Sequence, residues 1–328
     1  MNTSTLMTTA TAAPRARLLD NPAFAARYQE LARVRLNPRR HAMADAWTHS
    51  EAVAARAAAL AVANGCGDAD RDLLEDLGRA HDIGKITGTA RPERSLEILD
   101  ACGIADAVLR PLVRWHDTSL PWWNAARKGQ APGDAAWRRL TADVDLRLLA
   151  MFMVADRVDA PGGWRRNQPT LWFQGEARRR GLLGALVLDL PGQPSEISAG
   201  AILVDGDGAA RRALLIRTRA SGFELAKGGL EWDELPAEAA CRELAEEAGI
   251  TGPLAVTGPL GRLGYDTTHD GERWHKHVHV FAVRARGEVA LGPMPARTRE
   301  RRWVTRAEAL TLPLVDESLR PILLTSFD

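Results

Sequence analysis

Three glutamates in the second half of the chain are spaced so that they could hold a divalent cation. Glu243, Glu246 and Glu247 lie three and four positions apart, which puts side chains on one face of a helix. A helix is predicted here because Pro236 suits a first helical turn and Gly249 suits a helix end. Carboxylates on one face repel each other, and hard divalent cations such as Mg²⁺ remove that cost beside a substrate's phosphates. The spacing therefore indicates metal-assisted phosphate chemistry, and the alternative is a solvated acidic helix face.

The glutamates belong to a longer motif, GGLEWDELPAEAACRELAEEAGI, at residues 228–250. Its fixed positions follow the spacing G-x5-E-x7-R-E-U-x-E-E-x-G-U, where U is apolar, and are filled by Gly228, Glu234, Arg242, Glu243, Leu244, Glu246, Glu247, Gly249 and Ile250. This motif resembles the Nudix box. The resemblance implies an α/β/α sandwich in which the three glutamates bind Mg²⁺ or Mn²⁺, Arg242 orients the helix through an ion pair, and Glu234 is structural.

The same resemblance implies a reaction, in which water attacks a phosphoanhydride of a nucleoside-diphosphate-linked substrate while metal ions neutralise the leaving phosphate. The general base varies within the family, so Glu243, Glu247 and Glu300 remain open. The phrase FELAKGG at 223–229 resembles the entry to the box in diadenosine-polyphosphate hydrolases, except that Ala226 stands where proline is usual. A dinucleoside polyphosphate is therefore one implied substrate.

Basic residues around the box could bind the phosphates that do not react. The candidates are Lys227, Lys276 and Arg302. The alternative for each of them is a solvated surface base.

A second set of residues with ligand chemistry lies in the first half of the chain. It consists of His49, the adjacent pair His81 and Asp82, and the distant Asp156. Neutral imidazoles and carboxylates together can hold one divalent ion, which would make a bound water acidic enough to attack phosphorus. Asp156 follows the apolar run 148–155, and a buried carboxylate is costly unless it is paired or bound to metal. The alternatives are a surface His49, a helix-end pair at His81 and Asp82, and an ion pair of Asp156 with a nearby arginine.

The order His, His-Asp, Asp, with HDIGK at 81–85, resembles the HD superfamily of metal-dependent phosphohydrolases. The resemblance implies an all-α domain with a transition metal such as Mn²⁺, Co²⁺ or Ni²⁺, and makes Lys85 and His116 candidates to act on the phosphate. The alternatives are a solvated Lys85 and a His116 packed among Trp115, Trp122 and Trp123. HDIGK followed by a later histidine is more similar to the HD modules of tRNA nucleotidyltransferases and RNA-end-repair proteins. It thus implies a phosphomonoester or (cyclic) phosphodiester of a nucleotide or RNA end. The alternative is an HD module that senses nucleotides and regulates its neighbour.

Two arginines follow Asp156 closely, in the phrase PGGWRRN at 161–167. A glycine-rich turn carrying Arg165 and Arg166 could reach a phosphate in the same cleft as the metal. The alternative is that these arginines are solvated while the tryptophans near them lie in the core.

The elements that must position these residues indicate two domains. Residues 45–190 are rich in Ala, Leu and Arg with helical apolar periodicity and predict the all-α HD domain, whereas 199–328 carry strand patterns and predict the α/β/α-sandwich Nudix domain. PGQPSEIS at 191–198 predicts a linker. Residues 1–44 are expected to be an N-terminal extension, partly flexible. A tight turn is predicted at Asp207 and Gly208.

A fusion of an HD domain with a Nudix domain predicts a bifunctional enzyme of nucleotide metabolism or RNA end processing.

Composition limits the remaining classes. A chain of 328 residues can bury two cores, and a net charge of +1 does not require nonspecific binding to nucleic acid. No apolar run approaches the ~20 residues that cross a bilayer, so no membrane partner is expected. The N-terminus lacks the order of a secretion signal, and the three cysteines show neither ligand spacing nor a disulfide framework, which predicts a cytoplasmic protein. The oligomeric state is left open.

Overall fold

The computed structural model describes residues 15–219, 221–269 and 271–328, so the first part of the predicted extension lies outside the described residues. The helices are α1 (Pro22–Glu30), α2 (Ala46–Ala63), α3 (Asp68–Ala80), α4 (Pro92–Ala101), α5 (Leu109–Trp115), α6 (Ser119–Ala126), α7 (Asp134–Asp143), α8 (Leu146–Arg157), α9 (Gln168–Arg179), α10 (Pro236–Ala248), α11 (Arg306–Ala309) and α12 (Leu319–Thr325). The strands are β1 (Glu196–Asp205), β2 (Arg212–Arg219), β3 (Gly222–Glu224), β4 (Ala226–Gly229), β5 (Ile250–Thr251), β6 (Leu254–His269), β7 (Glu272–Ala285), β8 (Ala290–Leu291) and β9 (Glu300–Thr305). In these ranges no helix combines the length and apolarity that a bilayer span needs.

One apolar core holds α1 to α9 together as a helical domain. Asp45 starts α2, because its side chain accepts a hydrogen bond from the Thr48 amide at 2.8 Å. Helix α8 is buried on all sides from residue 148 to 156, so it forms the centre of the domain. The chain after α9 runs without regular structure, and Leu183 and Leu188 still pack into the same core.

Residues 15–44, predicted as part of an extension, pack onto the helical domain wherever the structure describes them. Phe24 and Tyr28 lie four apart on one face of α1, and both are buried in the core. Arg17 lies 3.2 Å from the buried carboxylate of Asp76 and ties the segment to α3. The described part of the extension is therefore ordered, because its aromatic residues give it an apolar face.

The sheet domain is an α/β/α sandwich, as the Nudix resemblance implied. In the described part of the chain the main sheet has the strand order β3-β2-β1-β7-β6, with β4 also pairing β1 and β9 pairing β2. Strands β1 and β7 run parallel. Helix α10 packs on one face through Ala239, Ala240 and Leu244, whereas α11 and α12 cover the other. This confirms the predicted fold class.

Two local predictions in this domain are wrong. Strand β1 begins at Glu196, so the predicted linker 191–198 ends inside the sheet, because β1 continues its pairing with β7 down to the register of Glu196 and Lys276. The predicted tight turn is a six-residue connection, since β1 and β2 pair only as far as Asp205 and Arg212. Gly206 adopts a φ of 76° there, and the short helical turn that follows it lengthens the loop.

The two domains touch through the turn that follows α8. Ile197 donates its amide hydrogen to the Gly162 carbonyl at 3.0 Å, and Arg165 donates its own to the Ser195 carbonyl at 3.0 Å. Gly163 adopts a φ of 76°, and a Cβ atom on it would stand 2.9 Å from the Ser195 carbonyl oxygen. Backbone hydrogen bonds thus cross the boundary between the helical domain and the first strand of the sheet.

Candidate active sites

Three helices bring the predicted metal ligands of the helical domain together. His49 lies near the start of α2, His81 caps the end of α3, and Asp156 lies next to the end of α8. Helices α2 and α3 approach closely because Gly78 faces Ala54, whose backbone a Cβ atom at Gly78 would overlap. The spacing between the His49 and His81 helices therefore depends on the absence of a side chain at Gly78.

Gly78→Ala is expected to lower the free energy of unfolding by about 1–3 kcal/mol, because the added methyl group must push α2 and α3 apart. Urea unfolding followed by circular dichroism measures the change. Gly175→Ala in α9 is the matched control, since a Cβ there meets no described atom within 4 Å and alanine favours the helix by about 1 kcal/mol. Equal unfolding free energies for both variants would contradict the close helix contact.

The four predicted ligands form one buried cluster. Asp156 Oδ1 lies 3.0 Å from His49 Nε2 and 3.6 Å from His81 Nε2. His81 Nε2 also lies 3.2 Å from Asp82 Oδ2. Ligand atoms of His49, His81 and Asp82 all fall within 4.8 Å of one another, which is close enough to share one metal ion.

The hydrogen bonds of the cluster leave lone pairs available for a metal. His81 Nδ1 donates to the Gly78 carbonyl at 2.8 Å, which makes Nε2 the acceptor nitrogen. Among the described residues, His81 Nε2 and His49 Nδ1 are buried without a hydrogen-bond partner. An unpartnered buried polar atom is costly, and coordination would remove that cost at His81 Nε2. Two imidazoles and two carboxylates therefore fit a divalent transition metal.

Electrostatics in the cluster also favour a cation. Burial alone would lower the pKa of His81, but Asp82 and Asp156 outweigh it and raise that pKa above its ordinary value. Burial alone would raise the pKa of Asp82, yet His81 and Lys85 hold it well below its usual range. Burial alone would raise the pKa of Asp156, but Arg157, His49 and His81 together hold it well below its usual range. Both carboxylates therefore remain ionised, and they attract a proton to His81 where a metal would bind.

Lys85 and His116, the two residues predicted to act on the phosphate, border the cluster. Lys85 Nζ lies 2.6 Å from Asp82 Oδ2. The His116 ring centroid lies 5.3 Å from that of His81, and its Nδ1 donates to the Val113 carbonyl at 2.8 Å. Burial and the neighbouring His81 lower the pKa of His116, so its ring is neutral with Nε2 free to accept. Both side chains could face a substrate.

Sequence interpretation missed His41, which lies inside the predicted extension. Its ring centroid is 4.8 Å from that of His49. Burial, followed by the charges of Lys85 and His49, lowers the pKa of His41 to about 3, so the imidazole is neutral. No sequence motif surrounds His41. Its position shortly before α2 was the one feature of the sequence that could have indicated that it lies near His49.

A cavity of about 500 Å³ opens beside the cluster, and both domains line it. We call it the interdomain cavity. Asp82, His116 and Asp156 line it from the helical domain, and the segment 230–233 lines it from the sheet domain. Basic residues around it in the described part of the chain are Arg39, Arg40, Lys85, Arg127, Arg157 and Arg166. The acidic residues of the same wall are Asp82, Asp117, Asp156, Glu231 and Asp233, so the cavity presents charges of both signs to a ligand.

The second candidate site is built on α10 and on the glycine turn before it. The Arg242 guanidinium lies 2.9 Å from Glu234 Oε1 and donates to the Gly229 carbonyl at 2.9 Å. Gly249 ends α10 with a φ of 62°, in the left-handed region that favours glycine. Arg242 therefore joins the helix to the turn, in the way that the Nudix resemblance implied.

The three glutamates of the motif face this turn and the strand before it. Arg242 Nη1 lies 2.6 Å from Glu243 Oε1 and 3.1 Å from Glu246 Oε2. Glu247 Oε2 accepts a hydrogen bond from the Lys227 amide at 2.8 Å. Burial raises the pKa of Glu243 and of Glu247, a cost that a bound divalent cation would offset. The arrangement therefore suits a hard cation beside a phosphate.

Gly228→Ala is expected to reduce phosphoanhydride hydrolysis strongly while leaving the fold intact. A Cβ atom at Gly228 would overlap the carboxylate of Glu243, which is the mobile end of a side chain and can move away at little cost in stability. We expect at least a tenfold loss of kcat/KM, about 1.4 kcal/mol of transition-state stabilisation.

Gly229→Ala is the control for this variant, since a Cβ there would stand 2.8 Å from Arg166 Nη2 and would leave Glu243 in place. Turnover with Mg²⁺ and thermal unfolding measure both effects. An unchanged kcat/KM in Gly228→Ala would show that the Glu243 position is not needed.

The basic residues predicted to bind phosphates near α10 are placed differently from one another. Lys227 pairs with Glu224, next to the Glu247 contact. Lys276 Nζ lies 3.3 Å from the buried Glu196 Oε1. Arg302 lies above the Phe223 ring, on the sheet face opposite α10. The structure therefore brings only Lys227 of these three against a motif glutamate among the described residues.

Glu300, one of the alternative bases, and Arg302 occupy ion pairs of their own. Glu300 pairs with Arg217 of β2, and Arg302 Nη2 lies 3.1 Å from Glu308 Oε1. A substrate that recruits either residue must displace its partner.

Arg165 and Arg166 are neighbours in sequence with separate surroundings. The Arg165 guanidinium lies over the rings of Trp164 and Trp274, at 4.5 Å and 4.9 Å, and pairs with Asp189 and Glu272. Arg165 therefore connects the two domains, and two carboxylates already pair with the guanidinium that was predicted to reach a phosphate. Arg166 lines the interdomain cavity, and its Nη2 lies 2.9 Å from Glu196 Oε1.

Comparison with known proteins identifies both domains. The family model described as HD domain matches residues 46–160, and the one described as NUDIX domain matches residues 194–325. The protein named MutT4 from Mycobacterium tuberculosis is 41% identical over 99 residues, covering 28% of this chain and 39% of the relative. Nudix hydrolase 21, chloroplastic, from Arabidopsis thaliana is 36% identical over 99 residues, covering 29% and 45%.

Among solved structures, a NUDIX hydrolase from Nitrosomonas europaea aligns with a TM-score of 0.30 at 17% identity, over 39% of this chain and 86% of that one. The chain spans less than half the length of the curated relatives it matches. The two matched families are hydrolase families that depend on divalent metals. The chain therefore carries an HD domain followed by a NUDIX domain.

Proposed function

We propose that the protein is a bifunctional phosphohydrolase. The HD domain would cleave a phosphoester of a nucleotide or RNA end, and the Nudix domain a phosphoanhydride of a nucleoside-diphosphate-linked substrate. The observation that carries the proposal is that two ligand sets occur in one chain, and that the buried one opens into a cavity whose wall includes six arginine and lysine side chains. Two buried histidines and two buried carboxylates, whose pKa values lie well below their usual range, meet in this cluster, which a bound cation would stabilise.

In the HD domain, His49, His81, Asp82 and Asp156 would hold the metal. When bound, a divalent metal supplies an acidic water that can attack phosphorus. Arg157 Nη1 lies 3.2 Å from Asp156 Oδ2, and its guanidinium can pair with phosphate oxygens that gain charge. His116 Nε2, neutral and free of a described partner in its hydrogen bonds, can take up a proton from the attacking water.

In the Nudix domain, Glu243, Glu246 and Glu247 would hold Mg²⁺ or Mn²⁺. Such a metal neutralises charge on the leaving phosphate. Arg242 fixes the direction of Glu243 and Glu246 through its two contacts. We propose Glu243 and Glu247 as the candidate general bases over Glu300, because both contact the glycine turn or its flanking residues, whereas Glu300 pairs with Arg217 of β2.

The geometry favours a small nucleotide in the HD site. The interdomain cavity of about 500 Å³ falls within the ~300–1,000 Å³ typical of small-molecule pockets, and the second domain closes one side of it. An RNA end would enter only through its terminal nucleotide. We further propose Mn²⁺, Co²⁺ or Ni²⁺ for the HD site, a cytoplasmic location, and domain extents of 45–190 and, with the corrected start, 196–328.

A regulatory HD domain is the second candidate function, and one observation favours it. Arg39, between α1 and α2, lies 2.7 Å from Glu238 Oε1 at the start of α10 and donates to the Asp233 carbonyl at 2.7 Å. A ligand in the interdomain cavity could therefore influence the helix that carries the Nudix glutamates.

A substrate screen of the purified protein separates the two candidates. With Mg²⁺ or Mn²⁺, nucleoside monophosphates, cyclic nucleotides, dinucleoside polyphosphates and phosphate-ended oligonucleotides are supplied separately. Bifunctional catalysis predicts release of phosphate from a phosphoester in addition to cleavage of a phosphoanhydride. Regulation predicts cleavage of phosphoanhydrides alone, at a rate that a nucleoside monophosphate changes.

A further inference from the structure

Two tryptophans from different domains meet in the wall of the interdomain cavity. Trp123 belongs to α6 of the HD domain, and Trp232 lies between the Nudix glycine turn and α10. Their ring centroids are 5.6 Å apart with the planes inclined at 46°. Trp232 is 48% exposed, which is unusual for so large an apolar side chain inside a wall of charged groups.

Each ring carries an arginine. The Arg127 guanidinium lies 4.7 Å from the Trp123 centroid, and that of Arg40 lies 5.1 Å from the Trp232 centroid. Both arginines line the same cavity as the metal cluster. Aromatic rings beside arginines bind bases by stacking and phosphates by charge, so this wall offers both halves of a nucleotide a partner.

We propose that Trp123 and Trp232 form a joint stacking surface for the nucleobase of the ligand that enters the HD cavity. This inference rests on the proposed function of the HD site as a nucleotide site. It adds that the nucleobase is recognised, and that the Nudix domain contributes to this recognition. The HD binding site is then complete only when the Nudix domain supplies Trp232.

The charges around the segment 230–233 hold the second ring in position. Arg40 Nη2 lies 3.4 Å from Asp233 Oδ1, and Arg39 donates to the Asp233 carbonyl at 2.7 Å. Residues 39 and 40 thus hold the Nudix segment against the HD domain through Asp233, the residue that follows Trp232. Asn124, on α6 next to Trp123, also lines the cavity and offers an amide donor and acceptor to a base edge.

Equilibrium binding to the full-length protein tests the proposal without requiring turnover. Isothermal titration with adenosine 5′-monophosphate is compared with ribose 5-phosphate, which has the same phosphate and sugar without the base, both in the presence of a chelator. Trp123→Ala and Trp232→Ala should each weaken binding of the nucleotide by about 5- to 150-fold, the usual range for loss of one stacking contact. Binding of ribose 5-phosphate should stay unchanged, and Trp232→Phe should restore most of the nucleotide affinity.

Trp47→Ala is the matched control, because Trp47 is similarly exposed at 40% but lies outside the cavity lining. Equal weakening of both ligands by the cavity variants would overturn the proposal, since it would make the tryptophans a domain contact. Loss of affinity in Trp232→Ala but not in Trp123→Ala would also overturn it, by moving the nucleotide to the Nudix site. An absence of nucleotide binding to the wild type would do the same.

The failure of the proposed function has a different signature. If nucleotide binding depends on both rings while no phosphoester is hydrolysed, the stacking surface stands and HD catalysis is refuted. If phosphoesters with and without a base are hydrolysed equally well, and the tryptophan variants match the wild type, the catalysis stands and the stacking surface is refuted.

Discussion

Replacing Glu247 by glutamine is expected to remove phosphoanhydride hydrolysis and to leave the HD reaction unchanged. Glutamine keeps the shape of the side chain and the hydrogen bond from the Lys227 amide, which measures 2.8 Å, but it loses the charge that a hard cation requires. A loss of about 3 kcal/mol of transition-state stabilisation lowers the rate by more than about a hundredfold. Initial rates on a dinucleoside polyphosphate with saturating Mg²⁺ give the result.

Asp82→Asn is the reciprocal variant and serves as the control. It should abolish phosphoester hydrolysis and leave the Nudix rate within about twofold, because catalytic effects at separate sites are independent. The same circular-dichroism spectrum in both variants excludes unfolding as the cause. Undiminished phosphoanhydride turnover in both Glu246→Gln and Glu247→Gln would refute the assignment of α10 as the metal-binding helix.

Removing the metal from the HD site is expected to lower both bound-metal content and stability. A ligand that binds only the folded state stabilises it by mass action, by about 2.7 kcal/mol at a metal concentration ~100-fold above the dissociation constant. Chelator should therefore lower the melting temperature of the wild type. Asp156→Asn should lose most of the transition metal retained after gel filtration, because an amide oxygen is a poorer ligand than a carboxylate.

The competing explanation for Asp156 is its ion pair with Arg157, at 3.2 Å. Asp117→Asn is the control for that explanation, since Asp117 lies 2.7 Å from the same guanidinium and is outside the four-residue cluster. Elemental analysis should show normal metal content in Asp117→Asn and depleted metal in Asp156→Asn. Equal metal content in the two variants would leave Asp156 as a partner of Arg157 only.

The sequence predicted the parts of the sites that lie on continuous motifs. The glutamates of α10 and the Arg242 contact follow from helical spacing, because positions three and four apart must share a face. Asp156 could be predicted as buried because eight apolar residues precede it. The pairing of His49 with Asp156 required the fold resemblance, since nothing local places α2 beside α8.

The long-range contacts of His41, Arg39 and Arg165 could not be predicted from spacing. His41 and Arg39 stand in a segment without periodic apolar pattern, and they reach their partners only after the chain has folded. Arg165 was predicted to bind a phosphate because it is an arginine close to the HD cleft. Its guanidinium instead packs against two indole rings and pairs with two carboxylates. The neighbouring sequence does not indicate which distant residue a charged side chain contacts. Only the structure therefore distinguishes an arginine that can bind a ligand from one that holds two domains together.

The segment 230–233 belongs both to the Nudix motif and to the wall of the interdomain cavity. The box fixes Gly228 and Glu234 and leaves five positions between them unspecified, and four of those five residues line the cavity of the other domain. Positions that the Nudix box leaves unspecified are therefore occupied here by residues that line the cavity of the HD site. Replacing residues 229–233 by the same segment of another Nudix protein could keep every fixed residue of the box and still remove the side chains that this domain contributes to the HD cavity.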